Sequence, residues 1–222
     1  MSSSRSILEL VDITLTDSSG QGLFDNLNFE LKAEVTSVII GPTGSGKTSL
    51  VELIIGAAEP DHGSVIIFGK HLNHKKIGQV ARIRRKIGGV GGIYNLISYQ
   101  TVYDNLVDPM IFRKESRTHK KKKIEKYLKE LGLSSKKEAL AGNLSQGERV
   151  QVMLARAIIA DQPLLLIDEP LAGLDGAVKR KVIEILRRLS TGGHSMIILT
   201  TLEEDFGIPN PAVYRLDGGC LK

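Results

Sequence analysis

The chain of 222 residues is 41% hydrophobic and 25% charged, the makeup of a soluble globular protein with ample material for a core. Its N-terminus leads into an alternating segment instead of an apolar leader core, and no stretch approaches the ~18 apolar residues of a membrane span, so neither secretion nor membrane insertion is expected. The single cysteine, Cys220, rules out an intrachain disulfide, and the net charge of +5 collects largely in Arg113-Lys114 and Lys120 to Lys123, a local patch that does not amount to a nucleic-acid footprint.

Ile7 to Leu15 mixes apolar and polar residues like a half-exposed strand, Gly20-Gln21-Gly22 reads as a hairpin tip, and Leu27 to Lys32 as the return. An antiparallel edge sheet is expected there. Val35 to Ile40 is a short apolar run ending in glycine, and Thr48 to Ile55 has helical character, which makes strand, glycine loop, helix. Ser64 to Phe68 is strand-like, and Lys76 to Lys86 fits a basic helix. Gly88, Gly89, Gly91 and Gly92 then read as a flexible hinge into Tyr103 to Phe112 and a charged helix from about His119 to Leu131. Its lysine run, Lys120 to Lys123, is expected on a solvated face, with anionic headgroups beneath a membrane as the alternative. Leu164 to Ile167 and Met196 to Leu199 are continuous apolar runs, as in strands buried on both faces, with a helical stretch from about Ala177 to Leu189 between them. The expected fold is α/β: a parallel core, an N-terminal antiparallel β subdomain, and helical material between about residues 93 and 160 inserted as a subdomain, all in one domain spanning 1–222.

Three motifs carry chemistry. Gly41-Pro42-Thr43-Gly44-Ser45-Gly46-Lys47-Thr48 matches G-x-x-x-x-G-K-[ST] in full, and with Ser49 it stands between a buried strand and a helix. Glycines let backbone N–H groups converge on phosphate oxygens, Lys47 would reach the β- and γ-phosphates, and the Thr48 hydroxyl would ligate magnesium. Asp168 and Glu169 end a buried strand, where open parallel sheets bind ligands; Asp168 would hold magnesium and Glu169 would act as the general base on an attacking water. Ser145-Gln146-Gly147-Glu148 opens a helical pattern with the spacing of a capping box, and its hydroxyl, amide and helix dipole could equally form a second anion site.

In order and approximate spacing the phosphate loop, Leu144-Ser-Gln-Gly-Glu148, Leu164-Leu-Leu-Ile-Asp-Glu-Pro170 and Ala172-Gly-Leu-Asp175 resemble the ABC ATPase family over nearly the whole chain. Arg84-Arg-Lys-Ile-Gly88 and Thr101-Val-Tyr-Asp-Asn105 further resemble the subgroup of the cell-division ATPase FtsE and the lipoprotein-release ATPases. The resemblance implies a P-loop NTPase core of RecA-like type that binds ATP with Mg2+ and closes as a dimer. It also implies that the signature Ser145 to Glu148 contacts the nucleotide of the opposite cassette and that Asp175 links the two sites. The second cassette is expected to be an identical copy, with a heterodimer as the alternative. A membrane-spanning partner subunit is implied, with this chain on the cytoplasmic face of the membrane and no nucleic acid as ligand.

Three positions depart from the family pattern. Gly92 stands where the family has a glutamine contacting magnesium and the attacking water, and Thr201 where it has a histidine donating to the γ-phosphate. The aromatic that stacks on adenine is missing near Leu15. Losing one such preorganised donor typically costs about 10²–10³ in rate, so ATP binding with slow hydrolysis is expected.

Overall fold

The computed structural model describes residues 5–17 and 19–222. Its spine is a six-stranded sheet ordered β10-β9-β3-β8-β7-β6, formed by β3 (Thr36–Ile40), β6 (Ile87–Val90), β7 (Leu164–Asp168), β8 (Ser195–Thr200), β9 (Ala212–Asp217) and β10 (Cys220–Leu221). β6 through β9 and β3 run parallel, and only β10 returns antiparallel against β9. Because side chains alternate along a strand, each central strand supplies two cores. Ile39, Leu164, Leu166, Ile197 and Leu199 face a first cluster that contains Leu50, Leu53 and Ile54 of α1 (Lys47–Ile54). Val38, Leu165, Ile167, Met196 and Ile198 face a second, filled by Leu154 of α5 (Gln146–Ile158) and by Val182 and Leu186 of α6 (Gly176–Thr191).

A second, antiparallel sheet is ordered β2-β1-β4-β5, from β1 (Ser6–Thr16), β2 (Gly22–Lys32), β4 (His62–Ile67) and β5 (Lys70–His71). Leu8, Leu10, Ile13, Phe24 and Leu31 of its inner face close the first cluster over α1. Helix α2 (Ile77–Arg84) then leads into β6. Between β6 and β7 lie α3 (Val102–Val107), α4 (Arg117–Glu130) and α5, whose Val102, Leu106, Ile124, Leu128, Val152 and Ala155 form a third cluster of their own.

One expectation needs correction here. The glycine cluster is no hinge: Gly88 and Gly89 lie within β6, buried, because the chain is pressed between neighbours. A Cβ on Gly88 would overlap the Ala157 carbonyl of α5, and one on Gly89 would overlap the Tyr94 ring, so glycine serves close approach. Leu15 is buried, 7% exposed, and paired with Phe24 inside the first cluster, so it faces the core and presents no surface to a base. The lysine run is divided. The Lys120 ammonium donates to the Met110 carbonyl at 2.6 Å and Lys123 binds Asp161 at 2.8 Å, while Lys121 and Lys122 are exposed.

Candidate functional site

Four of the helices begin on a side-chain cap: α3 on Thr101, α4 on Ser116, α5 on Ser145 and α6 on Asp175. Helix α1 begins instead on Gly46, in the left-handed region at φ 97°, with no side chain to accept from its first-turn N–H groups. Those donors and the positive end of the helix therefore point into the loop 41–46. The loop needs its glycines: a Cβ on Gly41 would lie 2.5 Å from Ser45 Oγ and one on Gly46 2.9 Å from the Phe24 ring. Lys47 is 8% exposed and its ammonium donates to the Gly41 carbonyl at 2.6 Å and the Pro42 carbonyl at 3.0 Å. That arrangement aims a nearly buried cation across the mouth of the loop.

Glu169 leaves the end of β7 at φ 47°, a left-handed conformation that costs a non-glycine residue on the order of 1 kcal/mol, and its N–H is held by the Leu199 carbonyl at 2.9 Å. The turn throws its side chain toward Lys47. Oε1 is buried without a hydrogen-bond partner and lies 3.9 Å from Lys47 Nζ, too long for a hydrogen bond but close enough for charge attraction. Oε2 accepts from the Thr201 hydroxyl at 3.3 Å. Burial first, and then the adjacent Glu169 charge, push the Asp168 carboxyl above the usual carboxylate range against the pull of Lys47.

One cavity of about 380 Å³ collects Thr43, Gly44, Gly46, Lys47, Thr48 and Ser49 with Asp168, Glu169 and Thr201. The phosphate loop and both carboxylates are thus brought together, and Thr201 joins them. Leu23 also lines it and was not anticipated; its only sequence signal is its place at the start of the hairpin's return strand, opposite the loop. Loop residue Gly92 approaches from the other side: its φ is 51°, and a Cβ there would overlap Asp168 Oδ2.

Ser145 to Glu148 and Asp175 do not line this cavity. Ser145 and Glu148 form a complete capping box, with Ser145 N–H donating to Glu148 Oε2 at 2.9 Å and Glu148 N–H to Ser145 Oγ at 3.3 Å. Lys136 adds an ion pair to Glu148 at 3.1 Å. Gly147 is required by the neighbouring helix, since a Cβ would lie 2.6 Å from Val178 of α6. Asp175 caps α6 by accepting from the N–H groups of Ala177 and Val178, both at 2.9 Å. Gln146 is exposed beside them.

Comparison with known proteins places this geometry. The sequence model of the ABC transporter family matches residues 24–172. The methionine import ATP-binding protein MetN 1 of Yersinia pestis is 32% identical over 202 residues, 91% of this chain and 55% of that protein. MetN of Vibrio cholerae is 34% identical over 167 residues, 75% of this chain and 48% of its own length. The chain therefore spans about half the length of the curated relatives it matches. Among solved structures, the ATP-binding cassette MJ0796, a dimer in a post-hydrolysis state bound to ADP and Pi, superposes with a TM-score of 0.85 at 26% identity over 97% of both chains. The fold is shared as well with cbiO1 from Clostridium perfringens, part of the ABC transporter complex cbiONQ, at a TM-score of 0.82 and 23% identity over 98% of this chain and 87% of that one.

Proposed function

The chain belongs to the ABC transporter family, and from that premise we propose that it is the ATP-binding, ATP-hydrolysing subunit of a membrane transport complex. The observation that carries the reading is the convergence of an uncapped helix α1, Lys47 and the Asp168-Glu169 pair on one cavity. The N–H groups of the loop and Lys47 bind the phosphates of ATP. Thr48 and Asp168 offer hard oxygen ligands suited to Mg2+, and among the described residues no group of three His, Cys, Asp or Glu could hold a metal alone. That donor set fits an ion whose remaining ligands are phosphate oxygens and water. When bound, magnesium neutralises charge on the β- and γ-phosphates. Glu169 takes the proton of the attacking water through its unpartnered Oε1 as the water oxygen bonds to the γ-phosphorus, and the bond to the ADP oxygen breaks with its electron pair leaving on ADP. Thr201 steadies the other carboxylate oxygen. With glycine at 92 and threonine at 201, turnover is slow.

Ser145 and Gly147, which do not line this chain's own cavity, serve a nucleotide held by a second cassette. The helical segment of about residues 93–160 is the subdomain that carries them. No helix among the described residues is long and apolar enough to cross a membrane. In this reading the membrane component is a partner subunit, with this chain peripheral on the cytoplasmic face. A groove of about 350 Å³ supports such a partner. Its floor includes Phe68 and Phe112, the latter 69% exposed, and Lys70, Arg82, Arg85 and Lys86 around it form no ion pair among the described residues. A short acidic segment with an apolar anchor fits it. The test is calorimetry and light scattering with MgATP: wild type should bind one nucleotide per chain, and Glu169→Gln should bind equally and shift toward dimer. Absence of saturable binding overturns the assignment.

A further inference from the structure

Arg156 is half-buried on the last turn of α5, and its side chain serves a loop that no sequence motif connects to it. Nη2 donates to the Tyr94 carbonyl at 2.6 Å and Nη1 to the Asn95 carbonyl at 2.9 Å, a fork gripping two successive peptides. Burial presses against the guanidinium charge, and Asp108 offsets it. Tyr94 and Asn95 in turn hold the two glycines before them. Tyr94 N–H donates to the Gly91 carbonyl at 2.8 Å, and Asn95 Nδ2 to the Gly92 carbonyl at 3.0 Å. Those glycines form a wall against Asp168, so close that a Cβ on Gly91 would overlap the Asp168 carbonyl and one on Gly92 its carboxylate oxygen. Beyond the fork, the loop is pinned again by Asn105, fully buried, which accepts from Ile97 N–H at 2.9 Å and donates to Ile97 O and Thr101 O.

We propose that Arg156 is a positioning residue for the metal-binding corner: from α5 it clamps the 91–95 loop against Asp168 and so sets how readily Mg2+ is held with the nucleotide. This rests on the reading of Asp168 as a magnesium ligand. The loop places no glutamine side chain at position 92, so the loop's influence on the aspartate passes through the backbone wall that Arg156 holds. Ser145 caps the other end of the same helix, roughly 16 Å away at a helical rise of about 1.5 Å per residue. A displacement of the signature is therefore transmitted to the wall behind Asp168.

The experiment is binding of a fluorescent ATP analogue titrated with Mg2+, for wild type, Arg156→Gln, Arg156→Lys and Asn95→Ala. Partners that support a metal ligand typically contribute about 10–100-fold in metal affinity, and Arg156→Gln should raise the half-saturating Mg2+ by about 10-fold while affinity in EDTA is unchanged. Arg156→Lys should recover part of the shift, and Asn95→Ala, at an exposed position, should move it the same way by less. A merely structural arginine would lower the melting temperature and leave the Mg2+ requirement where it was. An unchanged requirement in folded Arg156→Gln overturns the proposal, and if that variant does not fold, an unchanged requirement in Asn95→Ala does so. Failure of the underlying reading looks different: wild type would then bind nucleotide without regard to Mg2+. The clamp itself is measured without nucleotide, as faster amide exchange over residues 91–97 in Arg156→Gln.

Discussion

Restoring the family glutamine at position 92 should harm the protein and leave hydrolysis no faster. Gly92 sits at φ 51°, where a side chain costs on the order of 1 kcal/mol, and the new Cβ would overlap Asp168 Oδ2, so the loop or the carboxylate must move by a substantial fraction of an ångström. The loop cannot yield freely, because Arg156 holds the carbonyls of residues 94 and 95 and Asn105 holds Ile97 on both its N–H and its carbonyl. Strain of this kind in a packed setting costs about 1–3 kcal/mol, which brings the total to roughly 2–4 kcal/mol. For a chain of this length ~1 kcal/mol corresponds to about 2–4 °C, so Gly92→Gln should melt at least ~4 °C lower. Displacing Asp168 also disturbs the carboxylate proposed to hold Mg2+. Thermal melts and a phosphate-release assay on the purified variant measure both effects. A wild-type melting temperature together with raised turnover would refute the reasoning, since it would mean the backbone takes a side chain at 92 without moving Asp168.

Lys47→Ala should abolish tight MgATP binding by calorimetry, because it removes the cation aimed across the loop mouth and leaves the Gly41 and Pro42 carbonyls without their donor. Asp168→Asn should abolish Mg2+-dependent binding yet raise the melting temperature of the nucleotide-free protein at pH 7 by a few degrees, about 1 kcal/mol. The sign follows from the raised Asp168 pKa: the folded state holds the proton more tightly than the unfolded chain. The Asp168 contribution to wild-type stability is therefore full below the ordinary carboxylate range and is lost as pH rises through the elevated value, a component the asparagine variant should lack. Thr201→Val should lower kcat a few-fold, about 1 kcal/mol, with nucleotide affinity intact, because the lost hydrogen bond orients Glu169 and the methyl group keeps the volume. Loss of affinity in that variant would place Thr201 on the nucleotide instead.

What was legible in the sequence is what short-range rules govern. The apolar runs Leu164 to Ile167 and Met196 to Leu199 could only be strands covered on both faces, and the glycine pattern before Lys47 carries its own geometry. The strand at Ile87–Val90 was not legible, because its glycines look like a hinge until Ala157 and Tyr94, neither adjacent in sequence, are seen pressed against them. Strand β9 was missed for a related reason. Only Leu216 of Ala212–Asp217 is fully buried, and the strand exists through its pairing with β3, which no local pattern announces. Leu15 lies inward with Ile13, and the apolar residue that reaches the cavity is Leu23, which the course of the hairpin in space reveals and its sequence does not. Arg156 carried no signal at all, since a lone arginine in an amphipathic helix reads as a solvated charge.

The two helix starts suit the two different nucleotide contacts proposed for them. Helix α1 begins on a glycine, so its amides have no side-chain acceptor of their own and suit a bound phosphate. Helix α5 begins on a satisfied capping box, stable without any ligand. Ser145 Oγ spends its proton on Glu148 Oε2 at 3.0 Å, but that carboxylate keeps two other donors, the Ser145 N–H at 2.9 Å and Lys136 at 3.1 Å. Turning the hydroxyl toward an incoming phosphate therefore leaves no buried charge without a partner, and the switch is cheap and reversible. A site that engages a phosphate only transiently, as proposed for Ser145, is better built this way than with permanently open donors.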